Sequence, residues 1–324
     1  VQVYVDLRTG QAYAFGAMYG GVPPYVTCSG AGAVSGGRIA YEIAGRPSST
    51  DPLMVEVRLF DIATRTERRL FRGNSSQDVE LMPAMLALAD TELAAIMMPG
   101  CPACNTLFLL PLGGGPRRQV YPALGQPPGG VGEPLGAAWP YLVFTDFTRF
   151  EPTQGYEVMA VDVRQPDQPI NLSNHPGDQW RARISGTRVV WMDTRNDPGH
   201  DAFNYQNTDV YLKDIATGEE RAICTDPAQQ NDPDIDGDVV AWLDCRHGTN
   251  KTPGLNYSCQ EPYVYNLKAG IETAVSLAAP TLYFDAPRLN GGRLFLRGGS
   301  STDWNQPPQV YMLELAARGV ATGP

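Results

Sequence analysis

Apolar and polar residues alternate along this chain in runs of strand length. The runs are separated by Gly, Asn, Asp and Ser at regular intervals. The first recurring pattern is an apolar run, a tight turn and a second apolar run. It reads Ala33-Val-Ser-Gly-Gly-Arg-Ile-Ala-Tyr41, Ala182-Arg-Ile-Ser-Gly-Thr-Arg-Val-Val-Trp191, Asp234-Ile-Asp-Gly-Asp-Val-Val-Ala-Trp242 and Pro287-Arg-Leu-Asn-Gly-Gly-Arg-Leu-Phe295. Less exact copies lie at Met85–Ile96 and Leu135–Phe144. The Ser-Gly, Asp-Gly and Asn-Gly pairs supply the positive φ that two-residue hairpins require. A second hairpin follows each of these. Its clearest copy is Asp209-Val-Tyr-Leu-Lys-Asp-Ile-Ala-Thr-Gly218, continued by Glu-Glu-Arg-Ala-Ile-Cys224. Seven copies align on Asp6, Asp61, Pro111, Asp162, Asp214, Asn266 and Glu314, spaced by 48 to 55 residues.

Two hairpins per repeat make four strands, here called a, b, c and d. A repeat of this length built from short strands signals a β-propeller. The predicted fold is therefore all-β, one propeller domain over residues 1–324. The chain opens on a c–d hairpin within residues 1–15, followed by six a–b–c–d units. Six blades are favoured, with the hairpin taking part in ring closure. Seven is the alternative, if the hairpin belongs to a blade whose a and b strands precede Val1. The stretch Val-Val-Trp-x-Asp, then Asp-Val-Tyr-Leu-x-Asp-Ile-Ala-Thr-Gly-Glu-Glu-Arg, resembles the TolB-like (WD40-like) propeller repeat family, most strongly over residues 180–270. That resemblance implies architecture. Its members include periplasmic scaffold proteins, propellers attached to peptidases and polysaccharide-degrading relatives, so it selects no activity.

Net charge is −10 and the pI about 4.8. This excludes a nucleic-acid partner, which needs clustered Lys and Arg. No apolar run reaches the roughly 18–20 residues that span a bilayer, so no direct membrane insertion is expected. Arginine outnumbers lysine 22 to 3, a coding bias typical of a GC-rich bacterium. Six cysteines sit near loops. They read as disulfides in an oxidising compartment, hence a periplasmic, secreted or surface protein whose signal segment was removed before Val1. Cys101 and Cys104 would close a small loop, and Cys245 with Cys259 would tether a long one. Cys28 and Cys224 remain as a third pair whose proximity the sequence does not show.

Two b–c loops break the repeat by their length. One carries Asn196, Asp197, His200, Asn204 and Tyr205, and the other His247, Asn250 and Tyr257. In a propeller these loops share a face with the d–a loops at 173–180 and 225–232. Their side chains suit peptide or sugar contacts. The three histidines, His175, His200 and His247, all fall in these loops. Asp232-Pro-Asp234-Ile-Asp236-Gly237-Asp238 looks like a calcium loop. Leu243 stands where an EF-hand needs Glu, and the register puts Asp236 in a hairpin turn. A looser calcium site at Asp232 or Asp234 is the alternative; no cofactor is required. Asp193-x-Arg195 and Asp244-x-Arg246 read as ion pairs on one strand face.

The sequence contains no His-Glu-x-x-His, Gly-x-Ser-x-Gly or phosphate-loop motif. The expected function is a non-enzymatic extracytoplasmic scaffold that recognises a protein or glycan through the long-loop face. The alternatives are a polysaccharide lyase or hydrolase with a central-channel site, and a structural subunit of an extracellular assembly.

Overall fold

A computed structural model describes residues 2–6, 11–15, 26–27, 32–45, 54–74, 80–98, 105–122, 130–150, 155–199, 207–247, 261–275, 282–300, 309–316 and 320. The chain divides into two compact units, Val1–Leu135 and Gly136–Pro324.

In the first unit, β1 (Gln2–Asp6) and β2 (Gln11–Phe15) form an antiparallel hairpin. The next sheet contains β3 (Val26–Thr27), β4 (Gly32–Ser35), β5 (Arg38–Gly45), β6 (Met54–Asp61) and β7 (Thr66–Asn74). Strands β4 to β7 follow the a–b–c–d meander, and β3 adds a fifth strand on the same edge of β5. The edge expected of one strand is thus shared by two short ones. A four-stranded meander follows, of β8 (Glu80–Leu88), β9 (Glu92–Met98), β10 (Thr106–Pro111) and β11 (Arg118–Tyr121).

The boundary between the units falls inside β12 (Val131–Ala138), which opens a meander with β13 (Tyr141–Phe150), β14 (Gly155–Asp162) and β15 (Ile170–Asn171). Two regular meanders come next. One is β16 (Gln179–Ser185), β17 (Arg188–Asp193), β18 (Asp209–Asp214) and β19 (Glu220–Cys224). The other is β20 (Gln230–Asp236), β21 (Val239–Asp244), β22 (Glu261–Asn266) and β23 (Ile271–Ala274). The last sheet has three strands among the described residues: β24 (Leu282–Asn290), β25 (Arg293–Ser300) and β26 (Gln309–Glu314).

Apolar side chains of each sheet in the second unit pack on the next. Val143, Val158 and Ala160 meet Ala182, Val189 and Trp191. Val190, Val210 and Leu212 meet Ile235, Val240 and Trp242. Ala241, Leu243 and Val264 meet Phe284, Leu294 and Leu296. The middle strands are therefore buried on both faces, and all six residues of β21 are buried. Each buried Val, Leu, Ile or Phe among them contributes about 1.5–3 kcal/mol. Trp191 and Trp242 are wholly buried within these seams.

The a–b turns also join sheet to sheet. Gly186 and Gly237 take φ of 60° and 56°, which a side chain at these positions would resist. Gly237 N donates to Ser185 Oγ at 3.0 Å, and Gly291 N donates to Asp236 Oδ2 at 2.7 Å. Asp236 is a turn residue, as its register predicts, but the amide it holds belongs to the following sheet.

Candidate binding face

Both long b–c insertions leave from the same construction. Trp191 Nε1 donates to Asp193 Oδ2 at 2.9 Å, and Trp242 Nε1 to Asp244 Oδ2 at 2.8 Å. Each buried carboxylate also receives the arginine two residues on: Arg195 Nη2 and Arg246 Nη2 each donate at 2.7 Å. The same guanidiniums reach the fourth strand, at Glu220 (2.9 Å) and Glu272 (2.7 Å). They lie over the rings of Tyr211 and Tyr263. Burial opposes protonation of Arg195, but hydrogen bonds to Asp193 and Glu220 push it up. The Asp244 hydrogen bond does the same for Arg246. A charge-assisted pair of this kind is stiff, so the origin of each insertion is fixed.

The neighbouring d–a turns are held by a second repeated device. Buried Gln179 donates through Nε2 to the carbonyls of His175, Pro176 and Gly177 at 3.3, 3.4 and 3.0 Å. Gln230 does the same to Asp226 and Ala228, at 3.3 and 2.9 Å. Backbone bonds then tie turn to insertion. Thr194 N donates to Asp178 O, Gln230 N to Thr208 O and Cys245 N to Gln229 O. Thr194 Oγ1 accepts from Asp178 N at 2.8 Å. The bases of the b–c and d–a loops thus share one end of the sheets.

Three of the eight predicted contact residues are described, and they differ in role. Asn196 donates to Asp209 Oδ2 at 2.7 Å and to Tyr211 Oη at 3.4 Å. Asp197 is buried and accepts from Gly199 N at 2.9 Å and Asn207 N at 2.7 Å, closing its own loop. These two build the frame. His247 is exposed beside Glu261 Oε2, at 2.9 Å, and Tyr263 Oη, at 3.3 Å. His200, Asn204, Tyr205, Asn250 and Tyr257 lie outside the described residues. His175, absent from the predicted set, sits 3.3 Å from Glu220, against the Arg195 pin.

Cys224 corrects one expectation. It is a free, buried thiol, not half of a disulfide. Burial pushes it up to about 12, and Arg246 Nη2 donates to its sulfur at 3.1 Å. Its place is in the apolar seam between two sheets. Cys245 is disulfide-bonded. Its expected partner Cys259, and Cys28, Cys101 and Cys104, lie outside the described residues.

The predicted calcium residues face arginines. Asp232 pairs with Arg181. Asp234 accepts from Leu289 N at 2.7 Å and lies 3.8 Å from Arg183 Nε. Among the described residues no group of three His, Cys, Asp or Glu side chains is placed to hold a metal ion. Arg181 and Asp232 occupy equivalent bulges in β16 and β20 with φ of 58° and 52°. The arginines of these first strands are the residues sequence reasoning passed over. Their signal was charge inside an otherwise apolar strand, at Arg181-Ala-Arg183 and Pro287-Arg288.

The a–b–c–d meander recurs in solved structures. A prolyl endopeptidase matches over 97% of this chain with a TM-score of 0.67 at 15% identity. The β-propeller domain of the Trilobed protease from Pyrococcus furiosus matches over 89% with a TM-score of 0.63 at 10% identity. The fold is a β-propeller. A putative TolB from Agrobacterium tumefaciens is a further propeller neighbour, with a TM-score of 0.52 at 12% identity over 85% of this chain and 86% of its own. The present propeller spans 44% of the prolyl endopeptidase chain and 80% of the Pyrococcus domain. No protein-family model and no curated protein matches it.

Proposed function

We propose that this propeller is an extracytoplasmic binding scaffold that recognises a protein or glycan through the end of the sheets bearing the two long insertions. The observation that carries the reading is the duplicated frame beneath them. Trp191-x-Asp193-x-Arg195 and Trp242-x-Asp244-x-Arg246 anchor both insertions, while Gln179 and Gln230 stiffen the turns beside them. Variable loops on a rigid scaffold are the usual architecture of a recognition surface. At the opposite end, the a–b turns at 186–187, 237–238 and 291–292 are two residues long and bond sheet to sheet. The disulfide at Cys245 supports an oxidising compartment. Glycan-array binding and pull-down from native envelope extract should both be run with the intact chain and with residues 198–206 replaced by a Gly-Ser linker. Specific capture by the intact chain and its loss on shortening are expected. Capture that survives shortening would move the site away from this face.

A further inference from the structure

The first strands of the second unit carry a charge arrangement that the loop face does not use. Strand β20 lies between β16 and β24. Arg181 and Arg183 come from β16, Asp232 and Asp234 from β20, and Arg288 from β24. Arg181 and Asp232 close on each other as an ion pair. That leaves Arg183 on one side of Asp234, and Arg288 on the strand whose Leu289 amide bonds the same carboxylate.

Neither guanidinium is well matched to it. Arg183, with a side chain 20% exposed, approaches Asp234 Oδ1 only to 3.8 Å, beyond a hydrogen bond. Among the described residues its hydrogen bond runs to Ala182 O at 3.4 Å. Arg288 donates to Pro287 O at 2.7 Å. The other Asp234 oxygen is taken by the backbone amide of Leu289. Among the described residues these are the hydrogen bonds of the two guanidiniums, and the charge of Arg288 reaches Asp234 and Arg183 from β24, which the Leu289 amide seats against Asp234. Burial, and then the charge of Arg288, lower the Arg183 pKa to about 10. The pair thus carries an excess of positive charge in a poorly hydrated place. The half-exposed Arg181 marks its open side.

We propose that Arg183 and Arg288 form a binding site for the carboxylate of a small organic acid or of a peptide C-terminus, with Asp234 as the internal competitor that holds the two arginines apart. A planar carboxylate matches the guanidinium fork with two parallel hydrogen bonds. This site is independent of the loop face.

Isothermal titration calorimetry on the intact chain at low ionic strength tests it. The probes are succinate, acetyl-trialanine with a free carboxylate, and acetyl-trialanine amide. At least one of the two acids should bind saturably, and their relative affinities identify the source of the carboxylate. The amide should not bind. Arg183→Gln and Arg288→Gln should each weaken binding by roughly tenfold. Asp234→Asn keeps an acceptor for Leu289 N but removes the competing charge, so it should tighten binding several-fold. A purely structural role for these residues gives no such gain. Absence of saturable binding to both the parent and Asp234→Asn chains would overturn the proposal. So would amide binding equal to acid binding, or folded Arg183→Gln and Arg288→Gln variants that bind as the parent does. Should either arginine variant fail to fold, the Asp234→Asn titration decides.

Discussion

The Asp209 carboxylate lies fully buried at the start of β18, where the first insertion returns to the sheet. One oxygen accepts from Asn196; the other is a buried acceptor with no partner among the described residues. Burial pushes its carboxyl up to about 6, the Asn196 hydrogen bond opposes this, and the Asp193 charge adds to it. An unfolded Asp titrates near about 3.9. Between these values the native chain holds a proton that the unfolded chain has released. The contribution to stability is therefore full below about pH 4 and lost as pH rises through about 6. Asp209→Asn should raise stability at pH 8 by on the order of 2 kcal/mol and change it little at pH 4. Thermal melts at both pH values check this, and an equal gain at both would show that the carboxylate is not the cause.

The turn from β15 to β16 is seated on β14. Tyr156 N donates to Asp178 Oδ1 at 2.8 Å, and Glu157 accepts from Ser173 Oγ at 2.6 Å and Asn174 N at 2.8 Å. At Gly155 a Cβ would stand 1.7 Å from Gly177 O. That obstacle is backbone and cannot rotate away. Gly155→Ala should therefore cost about 3 kcal/mol, the upper part of the overpacking range, as a lowered urea midpoint; an unchanged midpoint would mean the turn is loosely seated. The hairpins themselves were legible in the sequence, because alternation and Gly turns are local signals. So were Asp193-x-Arg195 and Asp244-x-Arg246, whose partners are two residues apart. Glu220 and Glu272 were not: they reach the arginines only through the pairing of two further strands. Cys224 was misread for a related reason. Cysteine count says nothing of which sulfurs meet, and this one faces an apolar seam. Asn196 and Asp197 read as contact residues by type; the structure shows the Asn196 amide nitrogen and the Asp197 carboxylate also bracing the base of the loop.

Each sheet of the second unit packs on its sequence neighbours, as in other repeat arrays. Removing the Arg246 side chain would leave Asp244 buried with Trp242 Nε1 as its remaining side-chain hydrogen bond of normal length. An orphaned buried charge costs about 3–5 kcal/mol. Hydrogen-exchange mass spectrometry on Arg246→Ala should show faster exchange in β20–β23, a smaller effect in β16–β19 and β24–β26, and none in β13–β15. Uniform acceleration across β13–β26 would mean that these sheets unfold as one block.

The turn bonds from Ser185 to Gly237 and from Asp236 to Gly291 give the repeat a direction. Both of these joints have an acceptor on the earlier repeat and an amide on the later one, and the acceptors stand 51 residues apart. A unit copied whole carries both halves of its joint, and a unit excised whole leaves Ser185 facing Gly291 with the same chemistry. Whole-unit gain or loss therefore leaves no joint unmatched, whereas a cut inside a unit strands an acceptor and an amide. The number of sheets is the property this chain can change most cheaply, and the register between sheets the least.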